Sequence, residues 1–155
     1  MHAVSDRNVA FLATEVLPIV EARYMISKDP ARRCVLGGSS GGIAAFSAAW
    51  FRPDIFGNVV SWVGSFVNIR GGHNYPWLVR NTKRKPIRVY LSDGSNDLNN
   101  QHGSWPLANQ AMASALEYAG YDFHFDFGEG SHASGVHLVP DMLRFVFGNH
   151  PGCKL

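Results

Sequence analysis

Apolar residues recur along this chain at two different spacings. Val9, Leu12, Val16, Ile19 and Val20 return every three or four positions, which predicts a helix over residues 6–24 with Asp6 as its cap and a kink at Pro18. Short apolar runs at 33–36, 59–63 and 87–91 read as strands. Residues 122–127 alternate strictly, Phe123, Phe125 and Phe127 against Asp122, His124 and Asp126, which suits an edge strand with one wetter face. Helical segments are expected at 43–51, 76–81, 106–118 (ended by Gly120) and 139–147. Strands alternating with helices predict an α/β fold, with about four mostly parallel strands covered by helices.

Length and composition narrow the class. A chain of 155 residues fits one compact domain spanning 1–155, of a size that buries roughly 70% of its unfolded surface. The hydrophobic share is 46% and the charged share 17%, as in a globular protein. A net charge of +2 gives no sign of a nucleic-acid or membrane partner. The basic cluster Arg80, Lys83, Arg84, Lys85 and Arg88 reads as a solvated helix-to-strand loop, because Pro86 and an apolar strand follow. Of the two cysteines, Cys34 is expected to be a buried free thiol and Cys153 lies in the tail. No run reaches the ~20 apolar residues of a membrane span, and no signal-peptide layout opens the chain, so a cytoplasmic location is expected.

The chemistry-bearing signal is Gly38-Ser39-Ser40-Gly41-Gly42, a G-x-S-x-G match between an apolar strand and a small-residue helix. A serine hydroxyl must project clear of the backbone, and a sharp strand-to-helix turn does this. Such a turn brings strand and helix very close, and flanking glycines remove the Cβ clashes. In this register Ser40 is the nucleophile, and the Gly41 N–H points at the developing oxyanion. No Lys-Ser or Lys-Thr follows, which excludes a Walker-type phosphate loop.

A serine nucleophile of this kind needs an acid and then a histidine after later strands. Ser92-Asp93-Gly94-Ser95-Asn96-Asp97 follows the third strand, and Gly128-Glu129-Gly130-Ser131-His132 follows the fourth. Loops at the carboxyl ends of parallel strands converge on one crevice. Asp97 has the longer reach and is preferred as the acid over Asp93, which ends a strand and can cap its own turn. Glu129 is a further acid, and His137 is a second candidate base that also reads as a helix-start residue. His132, His137 and nearby acids lack the spacing of any zinc motif, so no metal is expected. No cofactor is needed.

Together these segments resemble the enterochelin esterase and esterase D-like branch of the α/β hydrolases, which also holds feruloyl and acetylxylan esterases. The resemblance runs from Cys34 to Phe66, through Gly64-Ser65-Phe66, and continues in Ile69-Arg70-Gly71-Gly72, in Asp93 to Leu98 and in Gly128 to His132. It implies Ser40 as nucleophile, Asp97 as acid and His132 as base. Members of that branch carry further strands before the first helix seen here, including a loop that supplies a second oxyanion N–H. The expectation is therefore an N-terminally shortened α/β-hydrolase. The expected activity is hydrolysis of short-chain or carbohydrate-linked carboxylic esters through an acyl-enzyme. The alternatives are an acyltransferase or peptidase on the same scaffold, or a catalytically weak hydrolase half serving as a binding module. Arg70, His73, Tyr75 and Trp105 lie in loops after the second and third strands and are candidates to line the substrate pocket. The strand at 33–36 would expose an unpaired edge, so a homo-oligomer, most simply a dimer, is expected.

Overall fold

The structure, a computed structural model, describes residues 4–133 and 138–148. Its centre is a sheet of four parallel strands, β1 (Cys34–Gly38), β2 (Asn58–Trp62), β3 (Arg88–Gly94) and β6 (Asp122–Gly128), ordered β1-β2-β3-β6. Two further short strands, β4 (Asn99–Asn100) and β5 (Gly103–Ser104), pair antiparallel beside it. The register aligns Val35 with Val59, Val59 with Val89 and Val89 with Phe123, so one face of the sheet carries a continuous apolar band.

That band packs against α1 (Arg7–Phe11), α3 (Ser40–Phe51), α4 (Tyr75–Asn81) and α5 (Trp105–Tyr118). Within this core Phe46 stacks on Trp50, and Phe66 and Tyr75 meet the group edge-on. On the opposite face α6 (Val139–Phe147) covers Val60 and Tyr90 with Met142 and Val146. β6 is an edge strand, as its alternation predicts: Phe123 and Phe125 pack against the larger core, and His124 turns to Tyr90 on the other side.

The helix expected over 6–24 is present as three joined pieces. α1 runs into a π-turn at Leu12–Val16 and continues as α2 (Leu17–Arg23). Pro18 has no N–H to donate and its ring crowds the preceding turn, and the wider π-turn absorbs both. Asp6 stands at the N-cap but makes no side-chain capping bond. The expected basic loop is pinned rather than free: Arg88 pairs with Asp122, Arg84 donates to the Gly120 carbonyl, and Lys85 lies over the Trp50 ring. Cys34 is a free, half-buried thiol, and burial pushes it up to about 12. Among the described residues no helix is long and apolar enough to cross a membrane.

Two element boundaries differ from the sequence expectation, and both bear on the chemistry. The first strand continues through Gly37 and Gly38, held in parallel register with Ser61 and Trp62. The helix after it begins at Ser40, not at residue 43. Only Ser39 is left to make the turn. Likewise β3 extends through Asp93 and Gly94, which carries Asp93 into the sheet.

Candidate active site

Ser39 adopts φ 54° and ψ −121°, a left-handed conformation rare for a residue with a side chain. Backbone bonds hold it there. Its N–H donates to the Trp62 carbonyl, and its own carbonyl accepts from the N–H groups of Gly42 and Ser65. The tight crossing of strand and helix needs a residue without Cβ at Gly37, where an added methyl would overlap the Gly41 carbonyl.

The strained turn projects the Ser39 hydroxyl toward His132, with Oγ 3.0 Å from Nε2. Across the ring, Nδ1 lies 2.6 Å from Asp97 Oδ1. Asp97 Oδ1 also accepts from the Leu98 N–H at 2.5 Å. The Asp97 side chain is completely covered, whereas that of His132 keeps 29% of its surface open. Asp97 thus fixes the tautomer with hydrogen on Nδ1, and leaves Nε2 to accept from the serine.

The expectation for the serine is therefore corrected in its geometry. His132 meets Ser39, not Ser40. Ser40 is the first residue of α3 and opens on a shallow cleft of about 260 Å3 shared with Asn8, Ile43, Ser47 and Arg70. The reason is visible in the sequence once the strand end is known. Gly37-Gly38-Ser39-Ser40-Gly41 satisfies the same G-x-S-x-G spacing as the frame one residue later. Only the strand's continuation through Gly38 puts Ser39, rather than Ser40, at the turn. Gly41 accordingly lies one position beyond the N–H that adjoins the turn, which belongs to Ser40.

The acid and histidine loops are locked together. The Ser95 and Asn96 N–H groups donate to the carbonyls of Gly128 and Gly130 at 2.9 and 2.8 Å. A Cβ at Gly94 would overlap the Gly130 carbonyl. Glu129 is exposed and takes no part in the relay. His137 lies outside the described residues.

The four expected pocket residues divide. Arg70 borders the cleft next to Ser40 and holds φ 51°, so its backbone is strained beside the site. His73 is exposed on the turn Gly72–Asn74. Tyr75 is 1% exposed, packed in the aromatic core with its hydroxyl on Ser47, and so it is a core residue and not part of a pocket wall. Trp105 is also buried, but it does touch the relay. Its ring stands edge-on to His132 at 5.9 Å, and its Nε1 donates to Ser65 Oγ at 3.2 Å. Ser65 Oγ in turn lies 3.2 Å from Ser39 Oγ.

Three participants were not foreseen: Ser65, Asn109 and the environment of Asp93. Ser65 follows Gly64 after the second strand, and nothing in its spacing sets it apart. Asn109 is fully buried in α5, and its Nδ2 donates to Asp93 Oδ2 at 2.8 Å and to the Gly64 carbonyl at 2.9 Å. A polar residue on the buried stripe of a helix was the available signal. Burial, above all, pushes the Asp93 carboxyl up to about 8, with a hydrogen bond to Asp97 adding to the shift.

A parallel sheet with a serine at a strained strand-to-helix turn, relayed through histidine to a buried carboxylate, is the arrangement of an α/β-hydrolase. The comparisons bear out that class. Residues 4–135 match the model of the Esterase family, described as "Putative esterase", and the chain belongs to that family. No curated protein matches the sequence. Among solved structures, the ferric enterobactin esterase of Salmonella typhimurium superposes with a TM-score of 0.76 at 21% identity, over 94% of this chain and 38% of that one. A ferulic acid esterase gives 0.70 at 19% identity, over 88% and 60%. The fluorophosphonate-binding serine hydrolase FphF of Staphylococcus aureus gives 0.65 at 16%, over 88% and 63%. The chain thus spans 36 to 38% of the length of the enterobactin esterases it matches.

Proposed function

We propose that this protein hydrolyses carboxylic esters by two-step acyl transfer, with Ser39 as nucleophile, His132 as base and Asp97 as the acid that orients it. The observation that carries this reading is the relay itself: Ser39 Oγ, at a strained turn, 3.0 Å from a histidine whose other nitrogen is 2.6 Å from a buried carboxylate. Ser39 Oγ attacks the ester carbonyl carbon while its proton passes to His132 Nε2. The tetrahedral intermediate collapses, and His132 gives that proton to the leaving alcohol. Water then enters, loses a proton to His132, and attacks the acyl-enzyme. The second tetrahedral intermediate collapses with cleavage of the bond to Ser39 Oγ, His132 returns its proton to that oxygen, and the acid leaves. The Ser40 N–H, the first of α3, takes the oxyanion role expected of Gly41, because it is the amide that follows the nucleophile. Short-chain or carbohydrate-linked esters are the proposed substrates, with Arg70 at the mouth of the neighbouring cleft.

The test is a pair of alanine variants with p-nitrophenyl esters of short acids. Ser39→Ala is expected to lower kcat by about 1000-fold or more, as loss of a triad member does. Ser40→Ala should retain most of the activity. A fluorophosphonate adduct mapped by peptide mass spectrometry should lie on Ser39. An adduct on Ser40, or an active Ser39→Ala variant, refutes the assignment. Acyl transfer to an added alcohol or sugar in preference to water favours a transferase, amide-bond cleavage favours a peptidase, and no turnover with intact fold favours a binding module.

We also propose that two copies associate along β1. In support, β1 pairs only with β2 among the described residues, and Leu36 in that strand is 54% exposed. Ile19 on the adjoining helix is bare as well, and Ile26 beyond it partly so.

A further inference from the structure

We propose that Asp93 is a positioning residue for this site: its protonated carboxyl donates to Asp97 and holds the acid that holds His132. The proposal rests on the triad reading and adds a fourth member behind it.

Two aspartates lie side by side under the site, both largely shielded from water. Asp93 is 7% exposed and Asp97 8%. The turn in which the Asp97 N–H donates to the Gly94 carbonyl sets the two side chains against each other, and each carboxyl acts on its neighbour. Two carboxylates have no hydrogen to share, so one member of such a pair must carry a proton. The remaining partners show which one. Asp97 Oδ1 receives two hydrogens, from the Leu98 N–H and from His132 Nδ1. Its Oδ2 is fully buried and receives none from any N–H or hydroxyl group among the described residues. A buried carboxylate oxygen without a donor is strongly destabilised, and the neighbouring carboxyl is the donor that reaches it.

Asp93 is placed to stay neutral. It sits in β3, within the sheet, and its two oxygens accept from the Gly94 N–H and from Asn109 Nδ2, each at 2.8 Å. Among the described residues, the groups that bear on it supply no positive charge. α5 offers only the neutral amide of Asn109, the end of β2 offers the Gly64 carbonyl by way of that same amide, and the loop after β3 offers Asp97, an anion. His132 faces Asp97, on the far side of the pair. Desolvation and the neighbouring Asp97 charge both work against ionising Asp93.

The consequence is a pH-dependent hold on the acid. While Asp93 keeps its proton, Asp97 carries the pair's one negative charge and has both oxygens fixed, so Oδ1 stays aimed at His132. When Asp93 ionises, the donor is lost and two anions repel in a closed space. Turnover should therefore fall on the alkaline side, around pH 8, through a group that never touches substrate.

The experiment compares three proteins over pH 6 to 10 with one p-nitrophenyl ester: wild type, Asp93→Asn and Asp93→Leu. Asp93→Leu removes the donor, and kcat should drop about 10- to 100-fold with KM nearly unchanged. Asp93→Asn supplies an amide donor that cannot titrate. It should recover at least tenfold over Asp93→Leu, and the alkaline limb near pH 8 should vanish. A limb that survives in Asp93→Asn, or a wild-type profile flat through pH 9, overturns the proposal. If Asp93→Leu fails to fold, the Asp93→Asn profile decides alone. The 13Cγ resonance of Asp93 provides a readout independent of turnover. It should stay at the protonated position at pH 6 and move around pH 8, and a carboxylate shift at pH 6 refutes the proposal even in an inactive protein. The Ser39→Ala control separates the two ideas: if it kills activity while the Asp93 variants behave as wild type, the triad stands and the fourth member falls.

Discussion

The four glycines around the serines are not equivalent, and alanine at each makes a sharp test of the turn. The two G-x-S-x-G frames use Gly37 with Gly41, or Gly38 with Gly42. The packing needs one from each. A methyl at Gly37 would overlap the Gly41 carbonyl and lie 3.0 Å from its Cα. A methyl at Gly42 would stand 2.6 Å from Ser61 Oγ and 3.0 Å from Gly64 Cα. Carbon atoms settle at about 3.5–4.0 Å, so both substitutions force strand and helix apart. A side-chain hydroxyl can rotate away, but a backbone carbonyl in the helix cannot. Overpacking costs roughly 1–3 kcal/mol and more against rigid backbone, which gives about 2 kcal/mol for Gly42→Ala and about 3 or more for Gly37→Ala. Gly38→Ala meets nothing nearer than Trp62 at 3.7 Å, and Gly41→Ala meets nothing within 4 Å. Gly38→Ala should stay within about 0.5 kcal/mol of the parent, and Gly41→Ala should gain up to ~1 kcal/mol from helix propensity. At about 2–4 °C per kcal/mol for a chain this long, Gly37→Ala should melt about 6–12 °C lower. Calorimetry on the four variants reads the order directly. A Gly37→Ala protein as stable as Gly41→Ala would mean that strand and helix do not cross this closely, and the placement of Ser39 would fall with it.

Two further outcomes are expected from the same geometry. The Asp93 carboxyl is raised in the fold to about 8 from an ordinary value near 4, so the unfolded chain ionises first and stability declines as pH climbs from about 4 to about 8. At about 1.4 kcal/mol per pH unit the ceiling is about 5 kcal/mol, and denaturant titrations of Asp93→Asn should show a flatter profile and a more stable protein at pH 8. An Asp93→Asn profile that tracks the parent refutes this. For self-association, sedimentation equilibrium at low micromolar concentration should show a dimer that Leu36→Lys dissociates, and a 17.1 kDa species with full esterase activity overturns it.

What could be read from the chain alone was whatever depends on neighbours in sequence. Alternation placed β6 at an edge, and apolar runs located β1, β2 and β3 to within a few residues. The order serine, acid, histidine was legible because parallel strands deliver their following loops to one end of the sheet. Asp97 and His132, each singled out from its own loop, lie within hydrogen-bond reach of each other in the structure.

What tertiary structure decided were the choices that depend on where a strand stops and on what packs across it. Two serines shared one glycine-rich frame, and local sequence treated them alike. Ser39 stands at the turn because pairing with Ser61 and Trp62 draws β1 on through Gly38, and a histidine 93 positions later reaches its hydroxyl. Tyr75 and Trp105 sat in segments that read as pocket-forming loops, and only packing turned both inward. The Asp93 proton is the furthest from local sequence. An aspartate at a strand end is ordinary until Asn109 and Asp97 close over it, and the dielectric they create belongs to the assembled core rather than to any stretch of chain.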